Sequence, residues 1–158
     1  MNLITGKNKK ILRTPAKPVE KITPEIRQLV RQMKKTMKES RGIGLAAPQV
    51  GVNLQIFVAQ TYYQDEGYQG KLYAIINPKI VSLSKQTDKM EEGCLSLPKI
   101  YGEVERPKKI TIEGLDEMGK KIKIKASGLL AKIFQHEIDH LNGILFVDKS
   151  PNAEKSID

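Results

Sequence analysis

Residues 127–143, SGLLAKIFQHEIDHLNG, constrain the fold more than any other stretch of the chain. Ser127 offers an N-cap and Gly143 a C-terminal stop, so one helix is expected over about 127–142. Leu129 and Ile133 fall on the turns before His136 and His140, on the same side, while Leu130, Phe134 and Leu141 cover another side. A helix apolar over so much of its circumference belongs at the centre of a fold, with other elements packed around it. His136 and His140 extend the apolar stripe, and their spacing of four stacks them on one face. Polar groups placed there need partners, because burying them unpaired is costly.

The rest of the chain supplies the wrapping. TPEIRQLVRQMKKTMKES reads as an amphipathic helix over about 24–40. Thr23 can cap it, Pro24 suits its first position and Glu25 suits its positive end. Ile26, Leu29, Val30, Met33 and Met37 form its apolar stripe. LQIFVAQ, LYAIINP and KIVSLSK read as separate strands, with the polar, Gly-containing YYQDEGYQGK as separator. In KKITIEGLDEMGKKIKIKA, two strands flank a turn at Asp116–Gly119, and Ile110, Ile112, Ile122, Ile124 and Ala126 alternate with polar residues. Residues 1–10 and 150–158 read as polar, frayed ends. Helices and mostly antiparallel strands in separate runs predict an α+β fold, its sheets packed around the central helix. A length of 158 residues fits one domain, 1–158, able to bury a core without disulfide or metal staples.

Composition bounds the partners. No apolar run approaches the ~20 residues of a membrane span, so no membrane partner is expected. MNLITGKNKK has no signal-peptide core, and the single cysteine, Cys94, allows no internal disulfide. A reducing cytosol is the expected setting. The net charge of +9 leaves two readings open: a solvated lysine-rich surface, or weak proximity to a polyanion such as the ribosome. No Arg–aromatic module accompanies the charge, so specific nucleic-acid recognition is not expected.

Three stretches carry chemistry. The first is His136-Glu137-x-x-His140, the H-E-x-x-H pattern of zinc hydrolases. A metal that does chemistry takes three protein ligands and keeps one position open, and there is no third histidine. The second stretch is EEGCLSLP, residues 91–98. Cys94 there is either a small buried hydrophobe or, as a thiolate, the missing ligand. A protease of the H-E-x-x-H type would instead need Glu154, the one Glu after the helix, and a closed structural zinc site would need a fourth Cys or His that does not exist. The third stretch is GIGLAAPQVG, residues 42–51. It lacks the Lys-Ser/Thr or third spaced glycine of phosphate loops, and Gln49 is an amide donor suited to an oxyanion.

GIGLAAPQ, EGCLS and QHEIDH, in that order, resemble peptide deformylase, and the resemblance runs from about ILRTPAKPV to GILFVD. It implies a hydrolase that removes the formyl group from N-formyl-methionyl peptides of newly made proteins, releasing formate. It implies one divalent metal ion held by Cys94, His136 and His140; family precedent favours Fe2+, and the ligand set would equally accept Zn2+, Ni2+ or Co2+. Glu137 would be general base and acid to an attacking hydroxide. Gln49 and the Leu95 N–H would face the oxyanion. Gly44 and Gly93 would lie on the substrate side, Gly44 bonding a peptide bound like an added strand. Ile43, Met90, Leu129 and Ile133 would form the methionine pocket. Arg106 would pair with Asp139, which looks away from the metal. Many members carry an acidic residue just before the first motif glycine and an Arg seven residues after the cysteine, where this chain has Arg41 and Tyr101.

Overall fold

The computed structural model of the chain describes residues 1–61 and 70–155. Most of the expected polar separator, 62–69, and the end of the tail, 156–158, lie outside the described residues. Among the described residues no helix is long and apolar enough to cross a membrane.

After a short helix α1 (Lys10–Arg13), helix α2 (Pro24–Glu39) forms where its stripe and caps place it. The Thr23 hydroxyl accepts a bond from the Ile26 N–H at 3.2 Å, and Val30, Met33 and Met37 are fully buried. Strands β1 (Gly44–Ala46), β2 (Ile56–Gln60), β3 (Leu72–Leu83), β6 (Lys109–Leu115) and β7 (Lys121–Ser127) make one antiparallel sheet in the order β1-β2-β3-β6-β7. The β6–β7 turn is the expected one, held by the Asp116 carboxylate, which accepts from the N–H groups of Met118 and Lys120.

LYAIINP and KIVSLSK are one strand, not two. β3 runs through Pro78, with its register against β6 shifted between Ile76 and Lys79. A proline cannot donate to a ladder, so an irregularity is the place where a strand can hold one. Asn77 supports it at φ 53, its side-chain amide exchanging bonds of 2.8 and 2.9 Å with the Val19 backbone.

The second sheet is not apparent in the sequence. β4 (Thr87–Cys94) and β5 (Leu97–Pro107) form a long hairpin, and β8 (Glu154–Lys155) adds to the far side of β5. Gly102, Val104 and Arg106 alternate inward along β5, and Glu92 does so from β4. With charges among the inward positions, the pattern gives no apolar alternation to find. The N-terminal end is not frayed either. The Ile4 N–H donates to the Gln49 carbonyl at 2.8 Å and the Gly6 N–H to the Ser96 carbonyl at 2.9 Å, so this segment joins the GIGLAAPQ stretch to the hairpin.

Helix α3 (Gly128–Leu141) is central, as its composition requires. Ser127 stands at its N-cap position, but the hydroxyl makes no capping bond. Ala131, Ile133, Phe134, Ile138 and Leu141 pack with Phe57, Ala59, Ile75, Ile110 and Ile112 on one face of the first sheet. The alternate residues Ile56, Val58 and Ile76 face Val30, Met33 and Met37 of α2 on the other side. The sheet is thus sandwiched between the two helices by the period of two in its strands. Leu12, Leu97, Val104, Leu145 and Phe146 form a third cluster against the hairpin.

Gly143 ends α3 at φ 75, and a Cβ there would lie 2.5 Å from the Arg13 carbonyl oxygen. Neither the backbone angle nor the space accepts a side chain. Gly143→Ala is expected to destabilise the chain by about 2–4 kcal/mol, read as a lower urea midpoint.

Candidate metal centre

Two elements build the site. Helix α3 holds His136 and His140 one turn apart, their rings edge to face with centroids separated by 5.0 Å. The end of β4 brings Cys94 against them, with Sγ 3.3 Å from His140 Nε2. The ligand atoms of all three residues lie within 4.8 Å of one another. Separations of this size suit three ligands on one ion bonded at about 2.0–2.3 Å. His136 adds a further sign of fit. Its Nδ1 is 2.8 Å from Glu92 Oε1, which leaves Nε2 for the cluster, the arrangement of a metal-ligating histidine oriented by a carboxylate.

Electrostatics favour one cation here. Burial pushes His140 well below the usual imidazole range, reinforced by His136 and Arg106, so it stays a neutral donor. Burial also opposes charge on His136, but its bonds to Cys94 and Glu92 outweigh this and raise it to about 10. Cys94 and Glu92 thus favour positive charge on the His136 side of the cluster.

Glu92 is oriented in turn. Arg106 grips it with both arms of its fork, at 2.6 and 3.0 Å, and reaches Asp139 of α3 at 2.9 Å with its remaining nitrogen. Lys149 closes the line on Asp139 at 3.0 Å. Burial works against the Glu92 charge, yet the bonds from His136 and Arg106 bring its pKa down to about 2.

The cluster opens into a cleft of about 680 Å³. Gln49, Glu92, Ile133 and Glu137 form its buried floor, and Ile43, Gly44, Leu95 and Leu97 its walls. Glu137 Oε1 is buried with no hydrogen-bond partner among the described residues. Burial, offset by His136, raises this carboxyl to about 7. A Cβ on Gly44 would overlap the Glu137 carboxylate, so glycine is what lets β1 pass so close. Gln49, on a 3-10 turn (Ala47–Val50), accepts from the Ala46 N–H at 2.9 Å. Its amide nitrogen then points to Ser96 Oγ at 3.1 Å and Cys94 Sγ at 3.6 Å.

A family profile described as polypeptide deformylase matches residues 1–156. The chain belongs to the peptide deformylase family. It is 52% identical over 139 residues to the peptide deformylase of Halothermothrix orenii, covering 88% of this chain and 86% of that one. It is 50% identical over 142 residues to that of Carboxydothermus hydrogenoformans, covering 90% and 88%. The crystal structure of a peptide deformylase from Synechococcus elongatus in complex with actinonin superposes with a TM-score of 0.87 at 44% identity, covering 96% of this chain and 79% of that chain.

Most of the residues expected from the deformylase motifs meet in this cleft: Ile43, Gly44, Gln49, Gly93, Cys94, Leu95, Ile133, His136 and Glu137 line it, and His140 lies behind its sulfur contact. Two do not. Met90 lines a separate small hollow with Val104, Arg106 and Lys132. It is on the strand that ends at Cys94, but four residues earlier, or about 13 Å along it. Leu129 packs against the main core, seven residues before His136 and about 10 Å along the helix axis. Glu154, the ligand a protease would need, is on β8, where it pairs with Tyr101 of β5 outside the cluster. Glu92, Ser96 and Lys149 have no role readable from the sequence. Glu92 alone carries a signal, as an acid two residues before Cys94 on a strand and so on the same face.

Arg106 is 5% exposed, and its removal would strand two buried carboxylates. Arg106→Leu is expected to cost about 3–5 kcal/mol in urea unfolding. The variant should also bind metal about 10–100-fold more weakly, because His136 loses its oriented partner.

Proposed function

We propose that the chain hydrolyses the formyl amide of N-formyl-methionyl peptides, releasing formate and a free amino terminus. The observation that carries this is the Cys94–His136–His140 cluster beside the unpartnered Glu137 oxygen, on the floor of a peptide-sized cleft in a peptide deformylase family member. When bound by Cys94, His136 and His140, a divalent metal ion supplies hydroxide at neutral pH and polarises the carbonyl. Fe2+ is the ion proposed, with Zn2+, Ni2+ or Co2+ acceptable to the same ligands.

The chain's own groups do the rest. Glu137 takes the proton of the attacking water and returns it to the leaving amine. The Gln49 amide and the Leu95 N–H donate to the oxygen on which charge develops. The thiolate of Cys94 places negative charge in the cluster, which shifts more of that stabilisation to these donors. The peptide lies extended between β1 and β4, each the edge of its sheet, with the backbones of Gly44 and Gly93 facing it. Ile43 and Ile133 hold the methionine side chain, and Leu129 supports Ile133 from one turn away. Nascent chains carrying formyl-methionine set the place of action in the cytoplasm, and the basic surface favours weak proximity to ribosomes.

The test compares formate and acetate release from matched formyl- and acetyl-Met-Ala-Ser peptides, with metal content measured alongside. An acetyl methyl would crowd the converging donors and shift the carbonyl, and reaction geometry is sensitive to displacements of about 1 Å. Formyl peptides are therefore expected to react far faster, with internal peptide bonds intact. Comparable rates, or cleavage inside the peptide, would contradict the assignment.

Variants separate the roles. Cys94→Ala, His136→Ala and His140→Ala should each lose metal. Glu137→Ala should keep it and lose about 10²–10⁴ in kcat. Gln49→Leu should also keep metal and lose about 10²–10³.

A further inference from the structure

The rim of the cleft carries charges that the chemistry at its floor does not use. Arg41, Lys99 and Lys132 line it as cations, and Glu91 is its one exposed carboxylate among the described residues. The carboxylates at the floor are already engaged: Glu92 is held by Arg106 at 2.6 Å, and Glu137 faces the reacting centre. Lys132 is tethered at the wall, donating to the Glu91 carbonyl at 2.9 Å. Arg41 and Lys99 are exposed, and their side chains make no hydrogen bond or ion pair with a described residue. Arg41 stands just before β1 of the first sheet, and Lys99 is on β5 of the second, so each sheet contributes one such cation to the rim.

Their backbones are a second observation. Arg41 and Lys99 adopt φ 56 and 64, and among the described residues Asn77 alone joins them as a non-glycine at positive φ. Asparagine is at home in that region, whereas arginine and lysine meet a Cβ clash that glycine would avoid. Two long cations are thus held on unfavourable backbone at the mouth of one cleft. Strain of this kind concentrates where a side chain must be presented in one place.

We propose that Arg41 and Lys99 select formyl-methionyl peptides bearing acidic side chains in the residues that follow the methionine. This rests on the deformylase reading of the same site. A formylated amine carries no charge, so the rim does not repel the end that enters. Charge on the substrate resides in its downstream side chains, which leave the cleft where these cations stand. Exposed ion pairs are weak, each worth about 1.5–5-fold in affinity. Two cations together should give a preference of about 3–10-fold, carried in KM and screened by salt.

The experiment uses the metal-loaded enzyme and C-terminally amidated peptides, so that no terminal carboxylate competes. Formyl-Met-Asp-Ala-Ala is paired with formyl-Met-Lys-Ala-Ala, and formyl-Met-Ala-Asp-Ala with formyl-Met-Ala-Lys-Ala. The acidic member of at least one pair should show the higher kcat/KM through a lower KM, with the difference shrinking in high salt. In an enzyme carrying both Arg41→Glu and Lys99→Glu the ratio should invert. With Arg41→Ala and Lys99→Ala together it should fall towards one. The ratio is read within one enzyme preparation, so partial unfolding cancels. Ratios near one at both positions in the parent, or a preference that survives both double variants, would overturn the proposal. Formyl-Met-Ala-Ala-Ala amide tells the two readings apart. Its turnover without any charge preference sinks only the selection by Arg41 and Lys99. No formate from it sinks the deformylase reading itself.

Discussion

The Arg106 guanidinium, buried between Glu92 and Asp139, is the interaction on which the rest of the site depends. It ties the β4–β5 hairpin, through Glu92 on one strand and its own backbone on the other, to α3 through Asp139. Buried ion pairs are poor evidence for stability, because desolvation consumes most of what attraction returns. Geometry is a better explanation for this one. A bidentate fork has one good orientation. Glu92 held in it presents its Oε1 to His136 Nδ1, and the imidazole then has Nε2 free on the other side. The same strand delivers Cys94 two residues later. One buried cation therefore sets the tautomer of one ligand and the approach of another.

The close approach of backbone to chemistry follows from the same logic of tight registration. Gly44 lies against the Glu137 carboxylate where no side chain fits. The Gly-rich stretch that lacks the other marks of a phosphate loop is explained by this contact. Its glycine serves to bring an edge strand within reach of a helix, so that a peptide paired with β1 would pass directly over the acid. On the proposed reading, strand addition at β1 and proton transfer by Glu137 would meet at this one glycine.

What is legible in the sequence follows from how local each signal is. The ligand set can be read because His136, His140 and Cys94 exhaust the histidines and cysteines of the chain, and because helical spacing stacks the first two. Helix α2 can be read because its cap, its proline and its stripe agree. The β4–β5 hairpin cannot, since Glu92 and Arg106 occupy inward positions and charged residues read as surface until their partners are known. The N-terminal segment departs from its polar composition for a related reason: backbone groups dock it, through Ile4 and Gly6, and composition does not report on those. Leu129 marks a third limit, for it packs on the main core and does not line the cleft. Periodicity gives the face a side chain occupies, but it does not measure distance along the element.

Floor and rim of the cleft obey different constraints. At the floor the polar groups are buried against one another. Glu92 is matched by Arg106 and His136, Cys94 Sγ lies against His140 Nε2, and Glu137 is buried beside them. Changing one strands another in low dielectric, where the cost is several kcal/mol. At the rim, charges face water, and each is worth no more than about 1 kcal/mol. A chain can therefore exchange an acid for Arg41, or an arginine for Tyr101, without disturbing the chemistry below. Arg41 and Tyr101, the two positions where the motif resemblance is incomplete, both lie on this exposed rim, above the buried groups.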